Sequence, residues 1–472
     1  MAHYLQIIPY VKRIARALYY MGDDDPIFIF SHADADGIAS ASILALLLKM
    51  LDKPFVIRFL RQLRKDILEN IAEEVWPYNI IFSDFGSGQL REISRTLRRA
   101  ARVIIIDHHV IGKKPNFIPF KLYHLNLRLF GVNGGEEASS SSTAYLLART
   151  FLKVFPELKI LVKPAIIGAI GDNQDVGEKR SLIGINKLIA EEGKKFGIIR
   201  EKIDLIIPGK STKPVFQALA DIYTPIIPGI TGSPEATYKL LVSLGILKDE
   251  ITYQMITWDD LDEEKKQKIF EIIAQRLMAS GGMSLEKINQ LLLGTIYEFT
   301  DEKMTIKKDA REFSILLNAT ARTNKAAVGL ATLLGDSNAE KEAYMILKRY
   351  HYELSNALRE AFNLLKKEEK IGIIDGRGKI KEEYVSVIAS IIARSSPDVK
   401  LIIAFADSDL NYVKVSLRKT IQSDIKSVEE IITKAINGIK GASGGGHENA
   451  GGAFIPADKI ELFIERVKRL VR

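Results

Sequence analysis

The sequence predicts an α/β protein built on a doubly wound, mostly parallel sheet. Short apolar runs alternate with segments of helical composition, a rhythm typical of strands joined by crossover helices. Acidic residues and histidines follow several of these runs, where open α/β sheets bind their ligands. A change of texture near residue 198 and a second strand–helix series from residue 371 also predict a mainly helical insert and a smaller C-terminal α/β domain.

The chain has 472 residues, more than one hydrophobic core organises, so several domains are expected. We predict a core domain over 1–197 that is completed by 301–340, an inserted helical domain over 198–300, a connector helix over 341–370 and a small domain over 371–472. The absence of cysteine excludes a disulfide framework, cysteine-ligated zinc and thiol catalysis.

The composition indicates a soluble intracellular protein. No apolar run is long enough to span a membrane, and charges interrupt the N-terminal segment, so we expect a cytoplasmic location and no membrane partner. The abundance of Ile, Lys and Glu is compatible with a thermophile. The net charge of +8 favours an anionic partner, but a solvated lysine-rich surface explains it as well.

The first predicted strand–turn–helix unit carries a dense set of polar side chains. An apolar strand over 27–30 is followed by a turn with His32, Asp34 and Asp36, and then by Gly37 and a long helical run. Two carboxylates separated by one residue repel each other unless positive charge lies between them, and a metal ion is the usual solution. The alternative is an Asp-rich turn in which Asp34 or Asp36 caps the helix.

The next strands also end in acidic residues. Asp84 ends one predicted strand, and Asp107 ends another, directly before His108 and His109. Because the C-terminal ends of parallel strands lie along one edge of a sheet, these side chains can converge on the first turn. The chain has seven histidines, and four of them lie in Gly- or Asp-flanked loops, which favours a metal or phosphate site over a chance surface pair.

The middle of the chain is predicted to be mainly helical. A Gly/Ser-rich loop leads into a helix whose N-cap lies within 139–142. A later apolar helix closes on Asp172, in either a simple turn or a further ligand loop. Proline and glycine punctuate the insert, whose acidic stretch 258–264 favours a protein partner over nucleic acid. A long charged helix is predicted over 339–369.

The last domain ends in a glycine-rich segment that contains Gly444 to Gly446 and His447. Glycines let backbone N–H groups approach an anion, so this segment is either a phosphate-binding loop or a turn between a helix and a strand. Arg418, on a predicted strand, either binds phosphate or is solvated.

Together these motifs resemble the DHH phosphoesterase superfamily. The residues that carry the resemblance are His32, Asp34, Asp36, Gly37, Asp84, Asp107, His108, His109, Gly171, Asp172 and the segment Gly444, Gly445, Gly446, His447. The Asn318-Ala319-Thr320-Ala321-Arg322 segment is similar to the Asn-Ala-x-x-Arg segment of RecJ-type exonucleases. The whole layout resembles archaeal RecJ-like nucleases that are associated with the replication complex GINS.

The resemblance implies a site for two ions of Mn²⁺ or Mg²⁺. One ion would be held by His32, Asp34 and Asp84, and the second ion would share Asp84. The implied ligands of the second ion are Asp36, Asp84, His108 and Asp172. Oxygen ligands mixed with imidazole, without thiolate, suit these metals better than zinc. Two ions about 3.5–4 Å apart stabilise an in-line displacement at phosphorus.

The same resemblance implies roles for the other site residues. The implied catalytic set is Asp34, Asp36, Asp84, Asp107, His108, His109 and Asp172. Within it, Asp107 would orient a neighbouring histidine and His109 would contact the scissile phosphate. The implied substrate-binding set is His109, Asn318, Arg322, Arg418, Gly444, Gly445, Gly446 and His447. Asn318 and Arg322 could equally be ordinary helix surface.

The function implied is that of a single-strand-specific exonuclease, and we expect 5′→3′ hydrolysis of single-stranded DNA. The insert is expected to bind GINS. The alternatives are 3′→5′ trimming of RNA, and hydrolysis of short oligonucleotides or cyclic dinucleotides. A replisome scaffold is the alternative of another class. All the expected metal ligands are present in the sequence, which argues against a purely structural role.

Overall fold

The computed structural model describes residues 2–21, 26–74, 78–207, 209–223, 225–248, 255–281, 283–302, 305–396, 398–420, 422–446 and 448–471. The chain divides into two compact units. The first unit contains Met1–Ile206 and Leu293–Leu347, and the second contains Ile207–Leu292 and Lys348–Arg472. None of the described helices is both long enough and apolar enough to cross a membrane.

The first half of the chain alternates strands and helices. Its elements are α1 (Ala2–Tyr19), β1 (Ile27–His32), α2 (Ala35–Met50), β2 (Phe55–Leu60), α3 (Lys65–Glu74), β3 (Asn79–Ser83), α4 (Leu90–Thr96), β4 (Arg102–Asp107), β5 (Lys121–Asn126), α5 (Ser140–Arg149), α6 (Val162–Gly171), α7 (Gly184–Lys195) and β6 (Ile199–Leu205).

The second half begins with the helices of the insert. Its elements are α8 (Val215–Ala220), α9 (Pro234–Ser243), α10 (Glu263–Gly281), α11 (Leu285–Leu292), β7 (Leu293–Phe299), α12 (Thr305–Lys308), α13 (Ala310–Arg322), α14 (Ala326–Leu333), α15 (Ser337–Leu364), β8 (Lys366–Glu368), β9 (Ile371–Asp375), α16 (Glu382–Ser395), β10 (Leu401–Ser408), β11 (Tyr412–Lys419), α17 (Val428–Ile436), β12 (Ser443–Gly446), β13 (Ala450–Pro456) and α18 (Ile460–Val471).

The first unit contains the predicted parallel sheet. Its described strands pair in the order β2-β1-β3-β4-β5, and every pairing is parallel. The strand β3 is buried along its whole length, as expected for a strand covered on both faces. The helix α2 is apolar nearly all round and packs against β1, α5, α6 and α13. The predicted fold class is confirmed, and the strand order brings the ends of β1, β3 and β4 side by side.

Two strands bracket the insert in sequence. β6 and β7 pair antiparallel, from Ile199 opposite Phe299 to Leu205 opposite Leu293, and both belong to the first unit. The sequence pattern predicts helical structure here and does not indicate this pair of strands. The residues between the two strands, Ile207–Leu292, belong to the second unit.

The C-terminal sheet of the second unit is mixed. Its described strands lie in the order β12-β13-β11-β10-β9-β8, with β9 and β10 parallel and the other pairs antiparallel. The helices α17 and α18 pack on it over a core that includes Phe405, Val415 and Phe463. The predicted smaller α/β domain is therefore present.

Two local predictions for this region are wrong. The long helix predicted to continue to residue 369 ends at Leu364, because Lys366–Glu368 pairs with β9 instead. The glycine-rich segment predicted as a loop or turn forms the edge strand β12. A Cβ at Gly444 would lie 2.8 Å from the Cβ of Ala453, so glycine at that position permits close strand pairing.

Candidate metal centre

The turn after β1 serves as both a helix cap and a cluster of ligand-type atoms. Asp34 is the N-cap of α2, and its Oδ1 accepts a hydrogen bond from the Gly37 backbone N–H at 2.9 Å. Its Oδ2 lies 2.8 Å from Nδ1 of His32. A Cβ at Gly37 would lie 2.1 Å from the His32 carbonyl oxygen, so this tight turn requires glycine. The two interpretations of the turn are thus compatible, because the two oxygens of Asp34 face different partners.

Asp84 follows β3 and lies between the imidazoles of His32 and His108. Its side chain is 1 % exposed, and its φ of 63° is in the left-handed region. Its Oδ2 lies 3.2 Å from Nδ1 of His32, and its Oδ1 lies 3.3 Å from Nε2 of His108. The Ser140 hydroxyl donates to Oδ1 at 2.9 Å. One carboxylate thus connects the end of β1 with the end of β4.

Two groups of potential ligands share Asp84. His32, Asp34 and Asp84 each offer one atom, and these atoms lie within 4.8 Å of one another. Asp84, His108 and His109 form a second group by the same measure. The strands that carry these residues are neighbours in the sheet, which explains how side chains that are distant in the sequence converge.

Asp107 shapes the end of β4. It is buried, and its Oδ1 accepts hydrogen bonds from the backbone N–H groups of His108 at 2.8 Å and His109 at 3.1 Å. The same oxygen lies 2.8 Å from Nδ1 of His109, while Oδ2 accepts from the Ser87 N–H. Asp107 therefore contacts His109 and fixes the backbone that places both histidines.

Asp36 binds the N-terminus of α5. Its Oδ2 accepts from the Ser140 N–H at 2.7 Å, and its Oδ1 accepts from the Ser141 N–H at 3.0 Å. Ser139 is the N-cap of this helix, within the predicted range. A carboxylate at a helix N-terminus is stabilised by the free N–H groups and the helix dipole. This contact holds the buried Asp36 beside the other carboxylates.

Asp172, directly after α6, adds a fifth carboxylate. Its Oδ2 lies 3.6 Å from Nε2 of His108 and accepts a hydrogen bond from Nε2 of Gln174 at 2.9 Å. Its side chain is 32 % exposed. This placement favours the ligand-loop interpretation of the segment over the simple turn.

Burial and charge shift the pKa values of these groups. Burial and the nearby charge of Asp84 raise the pKa of Asp36 to about 7. Burial also acts to raise the pKa of Asp84, but hydrogen bonds from His108 and His32 outweigh it and hold that pKa well below its usual value. Burial lowers the pKa values of both histidines, but the carboxylates beside them outweigh this effect and raise both well above the usual value. The site is a cluster of carboxylates that needs positive charge.

The donor set fits a divalent cation. Carboxylate oxygens with imidazole nitrogens and no thiolate are typical of Mn²⁺ and Mg²⁺ sites rather than structural zinc sites. A cation would supply the positive charge that protons on His32 and His108 otherwise provide, so its binding would release those protons.

The two other predicted residues of the first unit lie on α13. Asn318 accepts a hydrogen bond through Oδ1 from the Ala35 backbone N–H at 3.1 Å, at the start of the ligand turn. The Arg322 carbonyl accepts from the Arg61 guanidinium at 3.2 Å. The end of α13 is thereby joined to the ends of β1 and β2.

The remaining predicted substrate-binding residues lie in the second unit. Arg418 is half-buried on β11, where Nε donates to the Ser390 hydroxyl and Nη1 donates to the Leu417 and Gly451 carbonyls. Gly444, Gly445 and Gly446 lie on β12. His447 lies outside the described residues. The sequence predictions for these residues therefore remain predictions.

Several polar residues of the site are not predicted by the sequence motifs. Ser140 and Ser141 contact Asp36 through their backbone N–H groups, and Gln174 contacts Asp172. His124 shares a hydrogen bond through Nε2 with the Ser87 hydroxyl, next to Asp107. The run of serines before a predicted helix was the sequence signal that could have indicated the contacts of Ser140 and Ser141. A single glutamine such as Gln174 gives no such signal.

Family models match most of this chain. A model described as the DHH family, N-terminal domain, matches residues 26–168, a DHH-CID domain model matches 207–292, and a DHHA1 domain model matches 377–472. The uncharacterized protein MJ0831 of Methanocaldococcus jannaschii is 30 % identical over 447 residues, which cover 94 % of this chain and 93 % of that protein. The chain belongs to the DHH family. The resemblance inferred from the motifs is confirmed.

Solved structures share the fold of this DHH-family chain. RecJ from Thermus thermophilus, crystallised in complex with Mn²⁺, matches with a TM-score of 0.59 and 16 % identity over 98 % of this chain. The match covers 54 % of the RecJ chain, so this protein spans about half of that relative. CDC45 from Entamoeba histolytica matches with a TM-score of 0.68 and 13 % identity, over 98 % of both chains. The chain has the RecJ-like DHH phosphoesterase fold.

Proposed function

We propose that this protein is a metal-dependent, single-strand-specific exonuclease that hydrolyses DNA from the 5′ end. The observation that carries the proposal is the buried carboxylate of Asp84, whose two oxygens lie 3.2 Å from Nδ1 of His32 and 3.3 Å from Nε2 of His108. A paired site of this kind suits phosphodiester hydrolysis, in which negative charge builds up on both sides of the phosphorus. The RecJ-like fold supports the same reaction class.

The residues for two divalent cations are present. One ion would be held by His32, Asp34 and Asp84, and the other by Asp36, Asp84, His108 and Asp172. A bound pair of Mn²⁺ or Mg²⁺ ions supplies charge stabilisation at the phosphoryl group and a lowered pKa for water. The related RecJ structures contain Mn²⁺ or Mg²⁺.

His109 is better suited to contact substrate than to bind a cation. Its Nδ1 lies 2.8 Å from Asp107 and 3.9 Å from Asp84. Burial and His108 act to lower the pKa of His109, but the hydrogen bond and charge of Asp107 outweigh them and raise it. A protonated His109 with Nδ1 directed at Asp107 carries positive charge and can donate from Nε2 to a phosphate oxygen. Asn318, Arg322, Arg418 and the segment 444–447 are proposed to bind the strand.

The direct test uses labelled strands. Wild-type protein and Asp84→Asn are incubated with 5′- and 3′-labelled DNA and RNA 30-mers, with Mn²⁺ and with Mg²⁺. We expect processive loss from the 5′ end of single-stranded DNA by the wild type alone. Equal activity in Asp84→Asn would refute the shared site, and loss from the 3′ end of RNA would replace the proposed polarity and substrate by the RNA alternative.

Short substrates are the second enzymatic possibility. The same ligand set would hydrolyse a dinucleotide or a cyclic dinucleotide, whereas α13 beside the ligand turn offers Asn318 and Arg322 for a longer strand. Turnover of a dinucleotide and of a 30-mer under the same conditions distinguishes the two. Preference for the dinucleotide would reverse the assignment.

A replisome scaffold is the candidate of another class, and the CDC45 match over nearly the full length of both chains favours it. Nuclease activity and scaffolding are compatible if the insert binds GINS. Glu263 and Glu264 are exposed at the start of α10 and offer an acidic docking surface. Glu263→Lys with Glu264→Lys should abolish co-purification with GINS while nuclease activity persists; undiminished co-purification would refute docking through this face.

A further inference from the structure

Two buried amide side chains connect the N-terminus of α5 with the candidate ligand Asp172. Asn186, on α7, accepts through Oδ1 from the Ser142 hydroxyl at 2.6 Å and from the Ser139 N–H at 3.4 Å. Its Nδ2 donates to Oε1 of Gln174 at 2.7 Å. Nε2 of Gln174 in turn donates to Oδ2 of Asp172 at 2.9 Å. Both amides are 0 % exposed.

The orientation of each amide is determined by its neighbours. A backbone N–H can only donate, so the Ser139 N–H requires the oxygen of Asn186 on its side. The nitrogen of Asn186 then faces Gln174, which must present its own oxygen. That leaves the nitrogen of Gln174 facing Asp172, where a carboxylate accepts. Reversal of either amide would place two donors or two acceptors together in a buried position.

Gln174 also contacts the segment that orients His108. Its second N–H donates to the Gly134 carbonyl at 3.0 Å, and the same carbonyl accepts from Nδ1 of His108. Because one proton of His108 is held on Nδ1, release of the proton on Nε2 leaves the lone pair of Nε2 available to a cation. Gln174 therefore donates to the candidate ligand Asp172. It also donates to the Gly134 carbonyl, which fixes the tautomer of the candidate ligand His108.

We propose that Gln174, held by Asn186, is a positioning residue for the second cation. It fixes the Asp172 carboxylate and the His108 ring before the cation binds. This inference rests on the proposed metal-dependent function and adds to it a residue that contacts no substrate. Groups behind metal ligands commonly change metal affinity by about 10–100-fold when they are replaced.

The experiment measures Mn²⁺ binding directly, by calorimetric titration of the full-length protein. In Gln174→Glu an acceptor replaces the donor that faces Asp172, while Oε1 still accepts from Asn186. We expect the affinity for one of two bound ions to fall about 10–100-fold and the affinity for the other ion to change little. Gln89→Glu is the matched control, because Gln89 uses Oε1 as an acceptor from the Gly86 N–H, and Glu keeps that acceptor; it should bind both ions like the wild type.

A second variant tests transmission through the chain of amides. Asn186→Asp does not touch Asp172, yet it removes the donor that orients Gln174, so it should weaken the same ion. In a Gln174→Ala background, Asn186→Asp should weaken this ion little further, because its effect is transmitted through the Gln174 side chain. Thermal unfolding of each metal-free variant separates a loss of affinity from a loss of fold.

The possible outcomes distinguish failure of the proposed metal-dependent function from failure of the positioning role of Gln174. If the wild type binds fewer than two Mn²⁺ ions, the proposed function fails. If the wild type binds two ions and folded Gln174→Glu or Asn186→Asp binds both with unchanged affinity, the positioning role alone is refuted. Selective weakening of one ion in both variants supports it.

Discussion

The candidate site has a strand side and a helix side, and they are built differently. On the strand side, His32, Asp84 and His108 lie at the ends of β1, β3 and β4. On the helix side, the α5 N-terminus and Gln174 contact Asp36 and Asp172 through N–H groups. The strand side supplies both histidines and the shared carboxylate of the candidate ligand set, and the helix side holds Asp36 and Asp172 in position. Only the strand side can be recognised from residue type alone.

Substitution of the shared carboxylate on the strand side should have the largest effect. Asp84→Asn keeps the size of the side chain and removes the charge that faces His32 and His108. We expect nuclease activity to fall on the order of 10³-fold, with loss of both bound cations. Initial rates on a single-stranded 30-mer and a parallel Mn²⁺ titration measure the two losses. Retention of both ions in this variant would show that Asp84 is not a shared ligand.

On the helix side, the largest expected loss is of stability rather than activity. Asp175 is buried and binds the guanidinium groups of Arg180 at 2.8 Å and Arg311 at 2.7 Å. Asp175→Asn leaves these arginines without their counter-charge, and we expect the free energy of unfolding to fall by about 3–5 kcal/mol. Denaturant unfolding measures it. Asp66→Asn, at an exposed ion pair with Arg64, is the control and should change stability little; equal losses in the two variants would contradict a special role for the buried pair.

The next largest loss of stability is expected where α6 packs closely against α5 and Asp36. A Cβ at Gly168 on α6 would lie 2.2 Å from the Ser141 hydroxyl and 2.4 Å from Oδ1 of Asp36. Gly168→Ala should therefore destabilise the fold by about 1–3 kcal/mol and weaken the contact between α5 and Asp36. In the control Gly88→Ala, the nearest atom to the new Cβ is 3.7 Å away. Thermal unfolding of both variants measures the difference. Equal melting temperatures would show that the structure accommodates the added methyl group without loss of stability.

The smallest effect concerns pH in the metal-free protein. The pKa of Asp36 rises from 3.8 in the unfolded chain to about 7 in the fold. Between these values the folded state retains a proton that the unfolded chain has released, so the free energy of unfolding should fall as pH rises through this window. The raised pKa values of His32 and His108 act in the same direction at higher pH, since their stabilisation is present below 6.5 and is lost as pH passes their folded values.

Denaturant unfolding at a series of pH values tests this dependence. Asp36→Asn should flatten the slope at the acidic end of the series, and saturating Mn²⁺ should remove the decline in the wild type. A slope that is unchanged in Asp36→Asn would show that a group other than Asp36 titrates in this window.

The sequence was sufficient where local pattern determines structure. Apolar runs that end in Asp or His predicted β1, β3 and β4, and strand adjacency then predicted the convergence of His32, Asp84 and His108. The sequence was insufficient where a residue contacts a partner that is distant in the chain. Asp175 belongs to none of the sequence motifs, and its partner Arg311 is 136 positions away, so nothing local indicates their contact.

The same limitation explains the errors in secondary structure. β6 has charged and exposed positions, and its partner β7 lies beyond the whole insert, so its pairing left little local signal. The glycines of β12 suggested a loop, but the side chains of β13 and α17 leave no room for a Cβ at Gly444.

The backbone at Asp84 limits which residues this position accepts. A φ of 63° is common for Asn and Gly and occasional for Asp, and it is strained for most other side chains. A lineage that no longer needs the chemistry could replace Asp84 with Asn or Gly and retain the chain path after β3. In this architecture, the carboxylate at position 84 and the chain path that carries it are therefore separable by one substitution.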